Sequence, residues 1–210
     1  MDNVEKIFNL YMLANKLKTT LRTGWLHWNV ENTRIESVAE HVYGTIMLAV
    51  SIYANCGQDF KDLDFEKVAL MIALHETEEI LIGDITMFEY QKVKNKKEAG
   101  RKAVQQIFQD CINKEKFLNI IAEYEDRNTN EAKFAYMCDK LEADIQAYIY
   151  RNNFNLEKAN PICLNDERIL KMNKQGISRV EQYFFENDKA KFSGIFKEID
   201  DYLKNLEKNK

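Results

Sequence analysis

Residues 68 to 84 read Val-Ala-Leu-Met-Ile-Ala-Leu-His-Glu-Thr-Glu-Glu-Ile-Leu-Ile-Gly-Asp, an apolar run that passes directly into a histidine and a group of acids. A helix that is apolar on every side needs partners all around it, so this segment predicts the central helix of a bundle. The acids that follow then stand beside the core, where an unpaired carboxylate costs several kcal/mol or takes up a proton. A cation, or lysine and arginine partners, has to compensate them. In an arbitrary chain such acids more often line a solvated last helical turn with the histidine packed beneath, so the remaining residues decide between the two.

The rest of the chain is able to surround such a helix. One proline, Pro161, and seven glycines in 210 residues permit long helices, and 45% hydrophobic content is enough for one sizeable core. The expectation is an all-α chain folded over 1–210 as a single compact helical bundle. Val4, Ile7, Phe8, Tyr11, Met12, Ala14 and Leu17 give helical spacing over 3–20. Residues 22–34 read as a loop packed down by Trp25 and Trp28, and a second helix opens near Glu36-Ser37 and runs to about residue 56. The central helix begins at Asp64 as N-cap and closes at His75, with Gly83 able to supply a left-handed residue that puts Asp84 at the start of a loop. Residues 91–103, with Lys92, Lys94, Lys96, Lys97, Arg101 and Lys102, read as a basic mobile surface leading into a helix around 102–125. Further helices are expected over 130–151, 165–186 and 188–207, the last apolar enough to dock on the bundle or on a second subunit.

A formal charge of −4 gives no global attraction to nucleic acid polymers, so an anionic substrate would need a local basic site. No apolar stretch approaches the roughly 20 residues of a membrane span, and the amino terminus is acidic and mixed, so a cytoplasmic location is expected. Cys56, Cys111, Cys138 and Cys163 show no CxxC spacing and read as free thiols, mostly core filler.

His41, His75, Glu76, Glu79, Asp84 and Asp139 together offer imidazole and carboxylate donors for one cation, which suggests a metal-dependent hydrolase. Asp139 is flanked one turn away on either side by Ala135 and Ala143, so a second helix or an ion is able to come close to it.

Four motifs in order resemble the HD-domain phosphohydrolases, within them the branch of deoxyribonucleoside 5'-monophosphatases. They are Arg22-Thr23-Gly24-Trp25 with Asn29-Val30, then Glu36-Ser37-Val38-Ala39-Glu40-His41, then His75-Glu76 through Glu79 to Gly83-Asp84-Ile85, and Asp139-Lys140-Leu141-Glu142-Ala143. The resemblance covers about residues 5–150. It implies a metal held by His41, His75, Glu76 and Asp139, with open positions for water and a phosphate oxygen. Mixed nitrogen and oxygen donors suit manganese, cobalt, iron or zinc better than magnesium. It further implies catalytic parts for Glu79, as the group that handles a proton, and for Asp84. Arg22 would be the phosphate anchor, and Trp25 would either stack a nucleobase or pin the loop. His27 reads as a histidine with no metal role, and Glu142 as an acid able to pair with a basic group near Asp139.

The chain departs from the family's His-Asp doublet at Glu76, whose extra methylene, roughly 1.5 Å, requires a different rotamer or a bidentate contact. The implied activity is phosphate release from nucleoside 5'-monophosphates, with a small-molecule phosphate ester as partner and a homodimer as a possible assembly. Another small phosphate ester or a pyrophosphate as substrate, or a non-catalytic nucleotide- or partner-binding helical module, are the alternatives.

Overall fold

The computed structural model describes residues 2–31, 34–86, 88–89, 95–175 and 193–208. In chain order these form α1 (Asn3–Ala14) with a 3-10 turn at Asn15–Lys18, α2 (Thr23–His27), α3 (Val38–Cys56), α4 (Phe65–Leu74) and α5 (Glu79–Ile82). There follow α6 (Lys96–Phe108), α7 (Lys114–Asp126), α8 (Asn130–Tyr150) with a 3-10 turn at Arg151–Asn153, α9 (Pro161–Leu164), α10 (Glu167–Gln175) and α11 (Ser193–Lys208). Among the described residues the only extended pairings are two isolated bridges, Leu21 with Ser37 and Val30 with Phe154, so the fold is all-α as expected.

The three helices that carry the site start where their caps dictate. Ser37 and Glu40 form a reciprocal capping box at the head of α3. Asp64 accepts from the Lys67 amide at the head of α4, as the sequence predicts, and Thr129 accepts from the Ala132 amide at the head of α8. Helix α4 packs against α3, α7 and α8. Val68, Met71 and Ile72 are completely buried, whereas Ala73 is exposed, so α4 is central but covered on most sides rather than all. On α8, Ala135 and Ala143 are buried and let its neighbours come close to Asp139. Helix α11 docks on the bundle through Phe196, fully buried with its ring 5.6 Å from Phe134.

Four expectations need correction. The helix over 3–20 gives way to the 3-10 turn after Ala14, and the loop over 22–34 contains the short helix α2. The helix over 102–125 is two helices: Val104, Ile107 and Phe108 and then Phe117, Leu118 and Ile121 all pack into one cluster, which the chain achieves by turning back between Phe108 and Lys114. The basic stretch is ordered as α6 from Lys96 onward, with the Lys96 ammonium donating to the Ile85 carbonyl at 2.8 Å. Its earlier residues, including Lys92 and Lys94, lie outside the described residues, as do 176–186 and 188–192 of the two C-terminal helices. The four cysteines are free, with Cys138 and Cys163 buried.

Candidate metal centre

Helix α4 ends one residue before the doublet. The Thr77 hydroxyl and the Thr77 amide both bond to the Leu74 carbonyl, at 2.6 and 3.0 Å, and the Glu79 and Ile80 amides continue this tight three-residue pattern. His75 is therefore the C-cap of α4, and Glu79 opens α5. His75 thus closes α4, as the sequence predicts, and Glu79 stands on a separate short helix.

The break turns His75 and Glu76 toward α3 and α8. The His75 Nε2 lies 3.4 Å from the His41 Nε2, which is 3.1 Å from Asp139 Oδ1. Glu76 Oε1 is 3.4 Å from His75 Nε2 and 3.7 Å from His41 Nε2. The ligand atoms of His41, His75, Glu76 and Asp139 all fall within 4.8 Å of one another. The longer side chain of Glu76 thus reaches the common point where the family pattern has an aspartate.

The chemistry of these donors fits a cation. His75 Nδ1 is bonded to the Ile72 carbonyl at 2.7 Å, and a carbonyl only accepts, so that nitrogen carries the proton. His41 Nδ1 is bonded to a carboxylate oxygen of Glu142 at 2.5 Å. Both rings commit their Nδ1 protons outward, so two Nε2 atoms face one point alongside two carboxylate oxygens, where a cation would take the place of the proton that Asp139 favours on the His41 Nε2. The surroundings favour positive charge there. Burial and Arg22 both oppose protonation of His41, yet the carboxylates of Asp139 and Glu142 carry its pKa up to about 9. Burial alone would raise Asp139, but Lys140, His41 and His75 hold it well below the usual carboxylate range. Burial keeps the His75 ring neutral by pushing its pKa down.

Arg22 enters from the segment before α2. The Arg22 amide donates to the Glu36 carbonyl and the Val38 amide to the Thr20 carbonyl, so residues 20–22 lie along the start of α3. Its guanidinium sits 3.3 Å from Glu76 Oε1 and 4.0 Å from Glu36 Oε1. Burial works against its charge, but Glu76, Asp84, Asp139 and Glu79 together keep it protonated. Asp84 reaches the same segment from the other side, accepting from the Thr23 amide at 2.5 Å and the Thr23 hydroxyl at 3.0 Å. Gly83 makes this approach possible: its φ of 75° and ψ of 170° lie in a region essentially reserved for glycine.

Glu79 is buried, and its Oε2 has no hydrogen-bond partner among the described residues. Burial first, then Glu76 and Asp84, push its pKa up to about 11, so it carries a proton at neutral pH. Trp25 is packed edge-on against Tyr150 and Phe154, and its indole N–H donates to Glu36 Oε1 at 2.7 Å. That geometry favours the pinning role for Trp25 over base stacking. His27 stands apart, beside Glu89 and Asn160.

Two groups at the site are missing from the sequence reading. Tyr124 of α7 donates its hydroxyl to Asp139 Oδ2 at 2.9 Å, and no spacing rule connects residues on different helices. Glu36, noted only as part of a motif, receives Trp25 and stands next to Arg22. The basic group that Glu142 pairs with, which the sequence does not reveal, is His41.

Comparison with known proteins agrees with this geometry. The sequence profile of the HD domain matches residues 14–179. The chain is 34% identical over 145 residues to the 5'-deoxynucleotidase HDDC2 of Dictyostelium discoideum, covering 67% of this chain and 75% of that protein. It is 32% identical over 150 residues to the 5'-deoxynucleotidase hdd1 of Schizosaccharomyces pombe, covering 69% and 72%. Among solved structures, a conserved hypothetical protein from Pyrococcus furiosus superposes with a TM-score of 0.60 at 28% identity, over 83% of this chain and 99% of that one. With four residues able to hold a metal gathered around one point and this match across most of its length, the chain is an enzyme of the HD-domain phosphohydrolase superfamily.

Proposed function

We propose that the enzyme is a 5'-nucleotidase releasing phosphate from deoxyribonucleoside 5'-monophosphates. The observation that carries this reading is the meeting, at the break between α4 and α5, of three kinds of group that phosphomonoester hydrolysis needs. They are a set of four residues able to hold a metal, a fixed guanidinium at Arg22 and a buried carboxyl at Glu79 whose surroundings push its pKa up. His41, His75, Glu76 and Asp139 would hold one divalent ion, with manganese, cobalt, iron and zinc matching the mixed donors. Such an ion, when bound, supplies charge neutralisation on the phosphate and a water acidic enough to attack at neutral pH.

The remaining steps belong to side chains. Arg22 exchanges its contact with Glu76 for two oxygens of the phosphate dianion, which its planar fork matches. Glu79 gives its proton to the leaving 5'-oxygen, the atom that otherwise departs as a strongly basic alkoxide. Asp84 serves catalysis by tying Thr23, and with it Arg22, to the loop after α5. Trp25 holds the far end of the same segment on Glu36. The choice of a nucleotide, and of the deoxy sugar, draws its support from the 5'-deoxynucleotidase relatives.

The test is phosphate release from deoxy- and ribonucleoside 5'-monophosphates, a sugar phosphate and pyrophosphate, with manganese, cobalt, zinc or magnesium added. Turnover is expected on the deoxynucleotides with a transition metal. Release confined to pyrophosphate or the sugar phosphate would replace the substrate class, and no release from any compound would remove the catalytic reading. In the same assay Arg22→Ala should raise KM about ten- to a hundredfold, from the loss of a charge-assisted contact of roughly 1.5–3 kcal/mol. A variant with the parent's KM would show that Arg22 is not the anchor.

A further inference from the structure

The bond between His41 and Glu142 belongs to neither substrate nor ligand set, yet it is the shortest contact of the centre's histidines, at 2.5 Å between two buried residues. Glu142 follows Asp139 by three residues on α8, so the ligand Asp139 and the partner of the ligand His41 project from the same face of one helix. The imidazole of His41 is thereby gripped at both nitrogens from α8, with Nε2 toward Asp139 and Nδ1 toward Glu142.

The opposite helix makes room for this grip. A Cβ placed on Gly44 of α3 would lie 2.6 Å from Glu142 Oε1, 3.2 Å from its Cδ and 3.3 Å from its Cγ. Glycine is otherwise a poor choice in the interior of a 19-residue helix, where alanine is better by roughly 1 kcal/mol. The missing side chain at 44 is therefore explained by the carboxylate it admits. Glu142 and Gly44 also line a cleft of about 440 Å³ together with Arg34, Glu36, Glu40, Gln146 and Tyr150.

We infer that Glu142, seated in the gap left by Gly44, is a positioning residue: it fixes the proton of His41 on Nδ1 and aims Nε2 at the metal. The inference rests on the metal-centre reading for its consequence, and on the His41–Glu142 bond alone for its cause. An imidazole whose Nδ1 proton is held by a carboxylate is a more basic ligand in a fixed orientation, and loss of such a partner typically costs 10–100-fold in metal affinity.

Two readouts separate cause from consequence. In metal-free protein labelled with 15N-histidine, the chain's three histidines should give one far-downfield proton attached to the His41 Nδ1, because only that ring shares its proton with a carboxylate at 2.5 Å. Glu142→Gln should move this resonance upfield and weaken zinc binding, measured by competitive titration, about 10–100-fold. Gly44→Ala, with Glu142 intact, should shift the same resonance and weaken zinc binding in the same direction, while circular dichroism keeps its helical signal. A Glu142→Gln protein with the parent's downfield proton and the parent's zinc affinity overturns the inference, as does an unshifted resonance in folded Gly44→Ala. If the parent protein binds none of manganese, cobalt, iron and zinc, the metal reading fails, and the resonance still decides whether Glu142 holds the His41 proton.

Discussion

Replacing Glu79 by glutamine should reduce kcat by about 10²–10⁴-fold while the protein keeps its metal, the range general acid catalysis contributes. The substitution leaves shape and burial nearly unchanged and removes only the ability to give and retake a proton. The same variant should be more stable than the parent in metal-free form at neutral pH. An unfolded glutamate ionises near 4.5, whereas Glu79 in the folded protein stays neutral until about pH 11. A raised pKa favours the folded state fully only below the unfolded value, and that contribution is progressively lost as pH rises toward the folded one. Glutamine carries no such dependence, so the variant's advantage should grow from pH 5 upward and reach about 3 kcal/mol at neutral pH. Urea melts of metal-free parent and variant at pH 5 and 7.5, with kcat and metal content of the loaded forms, check both halves. A variant with the parent's kcat would remove Glu79 from the mechanism, and a constant stability difference across that range would show that its carboxyl is ionised in the fold.

Asp139→Ala should abolish metal binding and destabilise the protein by ~3–5 kcal/mol, the cost of removing one partner from a buried charge cluster. His41 Nε2 and the Tyr124 hydroxyl would each lose the carboxylate they face, in a part of the core with no exposed surface to relax into. Asp139→Asn separates the two effects, because it keeps an oxygen for Tyr124 while removing the charge. Elemental analysis and denaturant unfolding are the measurements. An Asp139→Ala protein that retains one metal per chain would exclude Asp139 as a ligand.

The parts of this architecture that depend on neighbouring residues were legible in the sequence. Asp64 and Ser37 mark helix starts through bonds to amides three residues on, and the chain obeys them. Asp139 between two alanines reads as a buried acid because its helix spacing is fixed, and it is buried. What failed depended on residues far apart. The split between α6 and α7 arises from both helices sharing one cluster, which spacing along either one does not reveal. Tyr124 meets Asp139 only because α7 packs on α8. The substitution at Glu76 also needed coordinates, since only the turn after α4 shows where the longer carboxylate ends.

Among the described residues no atom lies within 4 Å of a Cβ placed on Gly83, so by volume alone an alanine fits. By backbone conformation it does not, and the penalty would fall on the direction in which Asp84 leaves the turn and so on Arg22, two steps away. A saturation scan scored on turnover should therefore show position 83 as intolerant, alanine included, although a methyl group there meets no described atom. Position 83 would resemble a contact residue in such a profile, although its whole contribution is the freedom of one torsion angle.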